Sequence, residues 1–478
     1  MPLNYRSIAS NAFVAFFSQG ISMLLSAMTA LLVPRVLGID EFGYWQLFMF
    51  YSSYVGFFHF GVNDGIYLIN GGTPRSKLNK RAINTQFIIV SVFQTFLALI
   101  LFFAAGQESF VHERVFVLQA TAVFFVLNNL SNFLGFLFQA MNETKLYSFS
   151  VIVDRLSFLV PLVYFLFSAE QNFESYIAAY VISKTLCLAY CCYNARDILT
   201  AGLNSPKTGV HDTAVNIRAG FKLMLANISS MLILGITRFL IDANFGIRVF
   251  GKISFALSLV IFFLTFISQG SLVLFPALRQ SGKTELERFF SNIRDLMSLL
   301  LPLIYLLYYP MVWLMDLWLP NYQDALNYLA LLLPICVFEC RMDICCTTYL
   351  KVLRRENWLL LINLLTVVIS SGGALLGVHY FHSIHVILAS AVFGIVLRSI
   401  VSELLLCRIM DAPFKGRIIL GEVAITIIVI LLTICVGHGV AGFLATTFTL
   451  SMYYMSNRRT FIHLLSTVHN RFLLYKKR

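Results

Sequence analysis

The sequence predicts an all-α polytopic membrane protein of about 14 transmembrane helices, arranged as two pseudo-symmetric six-helix lobes plus two C-terminal helices. Three observations carry the prediction. The 478 residues are 59% hydrophobic and only 12% charged, with a mean hydropathy of +0.80, more apolar surface than a water-soluble domain can bury. The apolar residues fall in blocks of roughly 20 to 26, the length a helix needs to cross a hydrocarbon core at about 1.5 Å per residue. The blocks also lack the ten-residue alternation of a membrane barrel, as "VIVDRLSFLVPLVYFLF" illustrates.

Taken in order, six spans near 10–34, 44–69, 83–105, 115–140, 146–168 and 174–195 form an N-terminal lobe over 1–195. Residues 196–218, "RDILTAGLNSPKTGVHDTAVNIR", carry Gly202, Pro206 and Gly209 and read as a flexible cytoplasmic linker. Six further spans near 219–242, 249–276, 293–315, 325–350, 357–379 and 384–408 form the second lobe, 219–408. Spans near 418–436 and 439–456 and a basic tail complete 409–478; only Gly437 and His438 separate this last pair, so one long re-entrant element is the alternative. No short apolar region with a small-residue cleavage site opens the chain, so span 1 is expected in the mature protein.

Basic residues set the orientation, because cytoplasmic loops accumulate them. With both termini cytoplasmic, twenty-six of the 35 Lys and Arg fall inside, four outside and five within spans. The four tryptophans, Trp45, Trp313, Trp318 and Trp358, lie near span ends, where amphipathic rings settle. The net charge of +12 is thus directed at anionic membrane lipids, not at nucleic acid, for which the charges form no coherent patch.

A phrase recurs. "PRVLGIDEFG" and "TRFLIDANFG" share Arg-x-Leu-x-x-x-x-Phe-Gly, so that Arg35, Leu37, Phe42 and Gly43 match Arg238, Leu240, Phe245 and Gly246, 203 residues later. Six crossings separate the copies, which therefore point the same way through the membrane, the mark of a parallel repeat in transporters. Chance similarity of apolar sequence is the alternative.

The stretches "SQGISMLLSAMTALLVPRVLGIDEFGYWQLFMFYSSYVGFFHFGVNDGIY", "ITRFLIDANFGIRVFGKISFALSLV" and "LFPALRQ" resemble polysaccharide-exporter flippases of the MATE-like MOP superfamily, the O-antigen, capsule and exopolysaccharide repeat-unit flippases. The resemblance implies a two-lobed transporter in the bacterial plasma membrane. It would move a polyprenyl-diphosphate-linked oligosaccharide from the inner to the outer leaflet by alternating access, beside a polysaccharide polymerase and chain-length machinery. Spans 9 to 14 carry little of it.

Charged residues inside the spans are the candidate site, since each costs about 2.5 to 3.5 kcal/mol to insert and so faces a partner or a cavity. The cations Lys184, Arg238, Arg155, Arg341, Arg398 and Arg35 suit a diphosphate cargo, for which guanidinium supplies both charge and forked donors. The acids Glu339, Asp343, Asp64, Asp154 and Asp242 are candidates for ion coupling; Glu339 and Asp343, four apart, share a helix face. Mutual pairing is the competing reading, Arg238 with Asp242 and Arg398 with Glu403, while Arg35 sits where it can snorkel. Gly61 and Gly65 around Asp64 point to close helix packing.

Other signals are weaker. His379, His382 and His385 read as incidental loop histidines more than a metal or pH site, the nine cysteines as small buried side chains, and Asn142 of "NET" as a cytoplasmic, unmodified residue. No metal or cofactor is expected, no P-loop is present, and the chain is not expected to be an enzyme. A cation-coupled multidrug exporter of the same fold is the alternative function. Less favoured is a membrane polysaccharide polymerase or ligase, which generally needs a larger outer loop than the short ones here. A structural scaffold fits poorly with charges inside spans.

Overall fold

The computed structural model describes residues 5–107, 111–280 and 283–458, and their side chains except at 5–16, 266–277, 279–280 and 283–284. The basic tail from 459 onward lies outside the described residues. The described chain is helical with no strand. It divides into two compact units, Met1–Ile228 and Ser229–Arg478, and the last two predicted spans belong to the second unit.

The first unit contains α1 (Tyr5–Leu31), α2 (Val33–Tyr54), a 3₁₀ turn at Val55–His59, α3 (Val62–Asn70), α4 (Lys80–Gln107), α5 (His112–Ala140), α6 (Thr144–Ser168), α7 (Phe173–Asn194), α8 (Arg196–Leu199) and the start of α9 (Pro206–Gln280). α5 is its axis. Two thirds of α5's most apolar stretch is buried, 67%, against 17% of α4's, so α4 leaves most of its apolar surface uncovered by the protein while Phe133, Leu134, Leu137 and Phe138 of α5 fill the core.

The second unit continues α9 and adds α10 (Lys283–Leu300), α11 (Ile304–Trp318), α12 (Gln323–Arg341), a π-helical segment at Met342–Thr347, α13 (Thr348–Val352), α14 (Glu356–His379), α15 (Ile384–Ile409), α16 (Gly416–Val436) and α17 (Val440–Ser456). Hydroxyls dock the last two helices: Tyr305 on Thr426 at 2.7 Å, Tyr309 on Thr446 at 2.6 Å, and Tyr454 donating to the Leu299 carbonyl at 2.8 Å. α16 and α17 are separate helices, parted at Gly437 with φ 83°.

By length and composition nine helices among the described residues can cross a membrane, ten with the pair Phe17–Leu31 and Val33–His59, bent by 69°. The fourteen predicted spans all fall on helix, and the lower number has local causes. Spans 7 and 8 share α9 on either side of a break at Gly246. Span 10 is interrupted by the π segment and carries Glu339 and Arg341, and α17 has only 17 residues.

That break corrects the register of the repeat. Gly246 has φ 80° and ψ 171°, and its counterpart within α2 is Gly38, with φ 75° and ψ −179°. Each heads the phrase Gly-Ile-x-x-Phe-Gly, Gly38 to Gly43 and Gly246 to Gly251, whose Phe42 and Phe250 are both buried. The sequence match had set Gly43, a buried helical residue, opposite Gly246. Extended backbone at positive φ is open essentially to glycine alone, so the breaks, not the flanking Arg and Leu, define the equivalence.

Two further expectations change. The linker is not a flexible loop throughout: only 200–205 is non-helical between α8 and α9. Ser205 caps α9, its Oγ accepting from the Thr208 amide at 3.3 Å, and Pro206 occupies the first helical position, where its missing N–H costs nothing. Trp45, expected at the interface, is buried in an aromatic cluster, whereas Trp313, Trp318 and Trp358 are exposed.

Span 2 is broken at Phe60 (φ 50°) and Gly61 (φ 88°). Lipid cannot satisfy the backbone groups such a break releases, and neighbouring amides do. Gln94 donates to the Phe58 carbonyl at 2.7 Å, and Asn129 donates to Val55 O at 3.1 Å and to Gln94 Oε1 at 2.8 Å. α3 then packs directly on the first turns of α9. A Cβ on Gly61 would lie 2.5 Å from the Phe221 nitrogen, and one on Gly220 would collide with Gly61 O and Gly65 N.

The loops at one end of the first unit are clasped by Arg75. Its guanidinium grips Glu143 with both oxygens, Nε to Oε1 at 2.8 Å and Nη2 to Oε2 at 2.6 Å, and donates to Asp197 Oδ1 at 2.7 Å and Asn194 O at 2.9 Å. Lys80 holds the other Asp197 oxygen at 2.7 Å. Burial pushes the Asp197 carboxyl up, but the Lys80 hydrogen bond and the charges of Arg75 and Lys80 outweigh it and hold the carboxyl below its ordinary range.

Candidate functional site

In the first unit α6 and α7 bring Asp154, Arg155 and Lys184 together. Lys184 Nζ donates to Asp154 Oδ2 at 3.1 Å and stands 5.9 Å from the centre of the Phe124 ring. Arg155 lies beside the Tyr180 hydroxyl, and its Nε is buried without a hydrogen-bond partner. The helical spacing of Tyr180, Lys184 and Cys187 presents all three on one face of α7. Beneath them is an aromatic floor: the Tyr180 ring meets Trp45 at 5.9 Å, Phe48 at 5.8 Å, Phe124 at 5.4 Å and Phe158 at 5.0 Å. Two cations share one carboxylate, so the cluster carries a surplus positive charge over π faces that themselves attract cations.

The second unit arranges its charges differently. Arg341 reaches Glu403 Oε2 from Nε at 2.9 Å, Glu422 from Nη1 and Ser298 Oγ from Nη2 at 3.1 Å. Arg294, 1% exposed, approaches Glu403 Oε1 at 3.8 Å and donates to the Pro413 carbonyl at 2.9 Å. Asp295 lies 3.7 Å from Arg294 and accepts from Lys415 at 2.6 Å, and Arg398 pairs with Glu339. Arg294, Arg341, Arg398 and Lys415 face Asp295, Glu339, Glu403 and Glu422. The network is neutral, and it ties α10, α12, α15 and α16 together.

The expected residues therefore separate. Asp154, Arg155 and Lys184 meet; Arg341 and Arg398 are bound by acids of their own unit. Arg398 pairs with Glu339 rather than Glu403, because a five-residue spacing puts Arg398 and Glu403 on different faces of α15. Glu339 and Asp343 do not form an unpartnered carboxylate pair: Glu339 is taken by Arg398, and Asp343 lies within the π segment, its carbonyl accepting from Thr348 at 2.8 Å. Arg238 donates to Ser254 Oγ at 3.0 Å and stacks 5.1 Å from Phe250, with Asp242 buried one turn on. Arg35 is exposed beside a small cavity with Leu166 and Gln171. Asp64 faces His59, Nε2 to Oδ2, at 3.8 Å.

Sequence reasoning missed Arg294, Asp295 and Lys415, which it placed at span edges and in loops, and the uncharged Gln94, Asn129, Gln86 and Asn216, the last two bonded at 2.6 Å. For Arg294 a signal existed: Phe290, Arg294, Met297 and Ser298 recur at helical spacing. His385 lies against Tyr328 and lines a cavity of about 550 Å³ with His438. Among the described residues no three His, Cys, Asp or Glu side chains converge as metal ligands, and the nine cysteines are free thiols.

Residues 8–281 match the family described as polysaccharide biosynthesis protein, more than half of the chain. The chain belongs to that family. No curated protein matches it in sequence. In structure, 84% of it superposes on 98% of an inward-facing multidrug-resistance MATE transporter of the MOP superfamily, with a TM-score of 0.61 at 14% identity. It is also similar to the lipid II flippase MurJ in an inward closed conformation, with 94% of this chain on 99% of that one, a TM-score of 0.55 and 10% identity. A MOP-superfamily transporter from Pyrococcus furiosus matches over 84% and 95% of the two chains at TM-score 0.51 and 11% identity. Identities this low show a shared fold: this member of the polysaccharide biosynthesis family has the architecture of MOP-superfamily transporters.

Proposed function

We propose that the protein flips a polyprenyl-diphosphate-linked oligosaccharide from the inner to the outer leaflet of the bacterial plasma membrane, for surface polysaccharide synthesis. The observation that carries this reading is the surplus cation at Asp154, Arg155 and Lys184. A diphosphate leaving the headgroup layer needs compensating positive charge, and Arg155 offers a forked donor set whose Nε is not engaged within the protein. The family's name and the lipid II flippase among its structural neighbours support a lipid-linked sugar as cargo. A positive surplus suits a cationic drug poorly. Both termini are assigned to the cytoplasm, and polymerase and chain-length proteins to the downstream steps.

The test is complementation of a strain lacking its own flippase, with wild type, Arg155→Ala, Lys184→Ala or Arg238→Ala at matched protein levels. Loss of surface polymer with accumulation of lipid-linked repeat units is the expected result for Arg155→Ala and Lys184→Ala. Normal polymer from both would refute the assignment of the cluster, and normal polymer from the deletion itself would refute the function.

A further inference from the structure

The break in span 2 creates a site that none of the cationic chemistry above uses. The Gly61 N–H donates to His59 Nδ1 at 2.9 Å. A backbone N–H has no other role available, so Nδ1 must be the unprotonated nitrogen and Nε2 the one carrying hydrogen. Nε2 faces Asp64 Oδ2 at 3.8 Å, with the two side chains only 12% and 8% exposed. That is beyond hydrogen-bond reach; the nearer donor is Asp64's own backbone N–H in the first turn of α3. A carboxylate so enclosed, with no Lys or Arg paired to it among the described residues, is costly to keep charged. Beside it, Asn63 is completely buried with neither amide atom hydrogen-bonded.

Among the described residues the surroundings add no further ion-pair partner. α4 and α5 present the amides of Gln94 and Asn129, already committed to the broken backbone and to each other. α9 approaches with Asn216, which is bonded to Gln86, and with Gly220, whose missing side chain lets its backbone reach Asp64 Cβ. The charged residues of that stretch, Arg218 and Lys222, are exposed. Among the described residues the only ion pair of either side chain is with the other.

We propose that Asp64 is a proton-binding site and His59 its positioning partner. One proton added to the carboxylate gives a neutral carboxyl and leaves the Gly61 bond intact. Added to the imidazole instead, the proton must go to Nδ1 and displace the Gly61 N–H, undoing a contact that shapes the break. The acid is therefore the acceptor, and the ring, locked in one tautomer by the backbone, is the fixed donor opposite it. Proton occupancy is in this way tied to the one place in span 2 where the helix is open. Use of this proton to drive export rests on the transport reading above; the site itself does not.

The experiment is a pH titration of the full chain in lipid nanodiscs followed by infrared difference spectroscopy of the protonated-carboxyl C=O band. Wild type, Asp64→Asn, His59→Ala and His59→Gln are compared, with no cargo present. The expected result is a wild-type band on acidification that is missing in Asp64→Asn. Its midpoint shifts by about one pH unit or more in His59→Ala and returns toward wild type in His59→Gln, which restores a donor and an acceptor. An unchanged band in Asp64→Asn would place the proton elsewhere and overturn the proposal. A midpoint indifferent to both His59 variants would overturn the role of the histidine, and it stays readable if Asp64→Asn does not fold. Because no oligosaccharide enters the measurement, failure of the cargo assignment and failure of this site give different results.

Discussion

Gly38 and Gly246 hold the same extended, positive-φ backbone at the head of two copies of Gly-Ile-x-x-Phe-Gly. A Cβ at either position would meet nothing within 4 Å, so the demand for glycine is purely conformational. Alanine at each is expected to cost about 1–3 kcal/mol, the cost of holding a side chain in this region. The two single variants should lower the thermal unfolding midpoint by similar amounts and the double variant by their sum, as for sites without shared partners. A neutral Gly246→Ala would show that the two breaks are not equivalent.

Arg341 is held by Glu403, Glu422 and Ser298. Removing one partner from a buried network leaves an uncompensated charge, at about 3–5 kcal/mol. Arg341→Ala should therefore reduce the yield of folded protein, and Arg341→Met with Glu422→Gln should recover part of it. If Arg341→Ala instead folds at wild-type yield and loses only transport, the residue belongs to the cargo path.

The cationic cluster allows a test by charge balance. Asp154→Asn with Lys184→Met removes a bonded pair and keeps the surplus charge on Arg155, whereas Arg155→Met abolishes the surplus and keeps the pair. Export measured as surface polymer per molecule of transporter should survive better in the double variant than in Arg155→Met. The opposite order would mean that the Asp154–Lys184 pair, not the excess charge, is what the function needs.

At the loop clasp the Asp197 carboxyl is held below its ordinary range. Its stabilisation is complete above the unfolded value, about 3.9, and is lost as pH falls through the lower folded value. Asp197→Asn should thus be less stable than wild type at neutral pH, and the gap should close in acid. Both partners are partly exposed, so the gap is small, about 1 kcal/mol or less, and shrinks with salt. A gap that stayed constant down to the acid limit would exclude the ion pairs as its source.

The helices were legible because lipid imposes length and apolarity on each span separately: Lys80–Gln107 and Ile384–Ile409 each enclose their predicted spans, near 83–105 and 384–408. The intramembrane charges were legible for the same reason. Their partners were not, since Arg341 finds Glu403 and Glu422 through packing of helices distant in sequence. Nor does hydropathy mark an amide such as Asn129 that mends a broken helix, or an arginine such as Arg294 that opens an apolar stretch yet ends in the core. The register of the repeat was misread because apolar residues match by chance, whereas the backbone angle that demands glycine is invisible in a string of letters.

The neutral network of the second unit also has an order in time. Ribosomes deliver helices singly, and Arg341 is made 81 residues before Glu422. During that interval an arginine destined for the interior has only some of its partners, and hydrocarbon charges about 2.5–3.5 kcal/mol for it. On that physical argument the arginine of α12 is fully compensated only once α15 and α16 are in place. A chain stopped before α16 leaves that arginine without its second acid, so truncation there exposes an uncompensated charge that the complete chain hides.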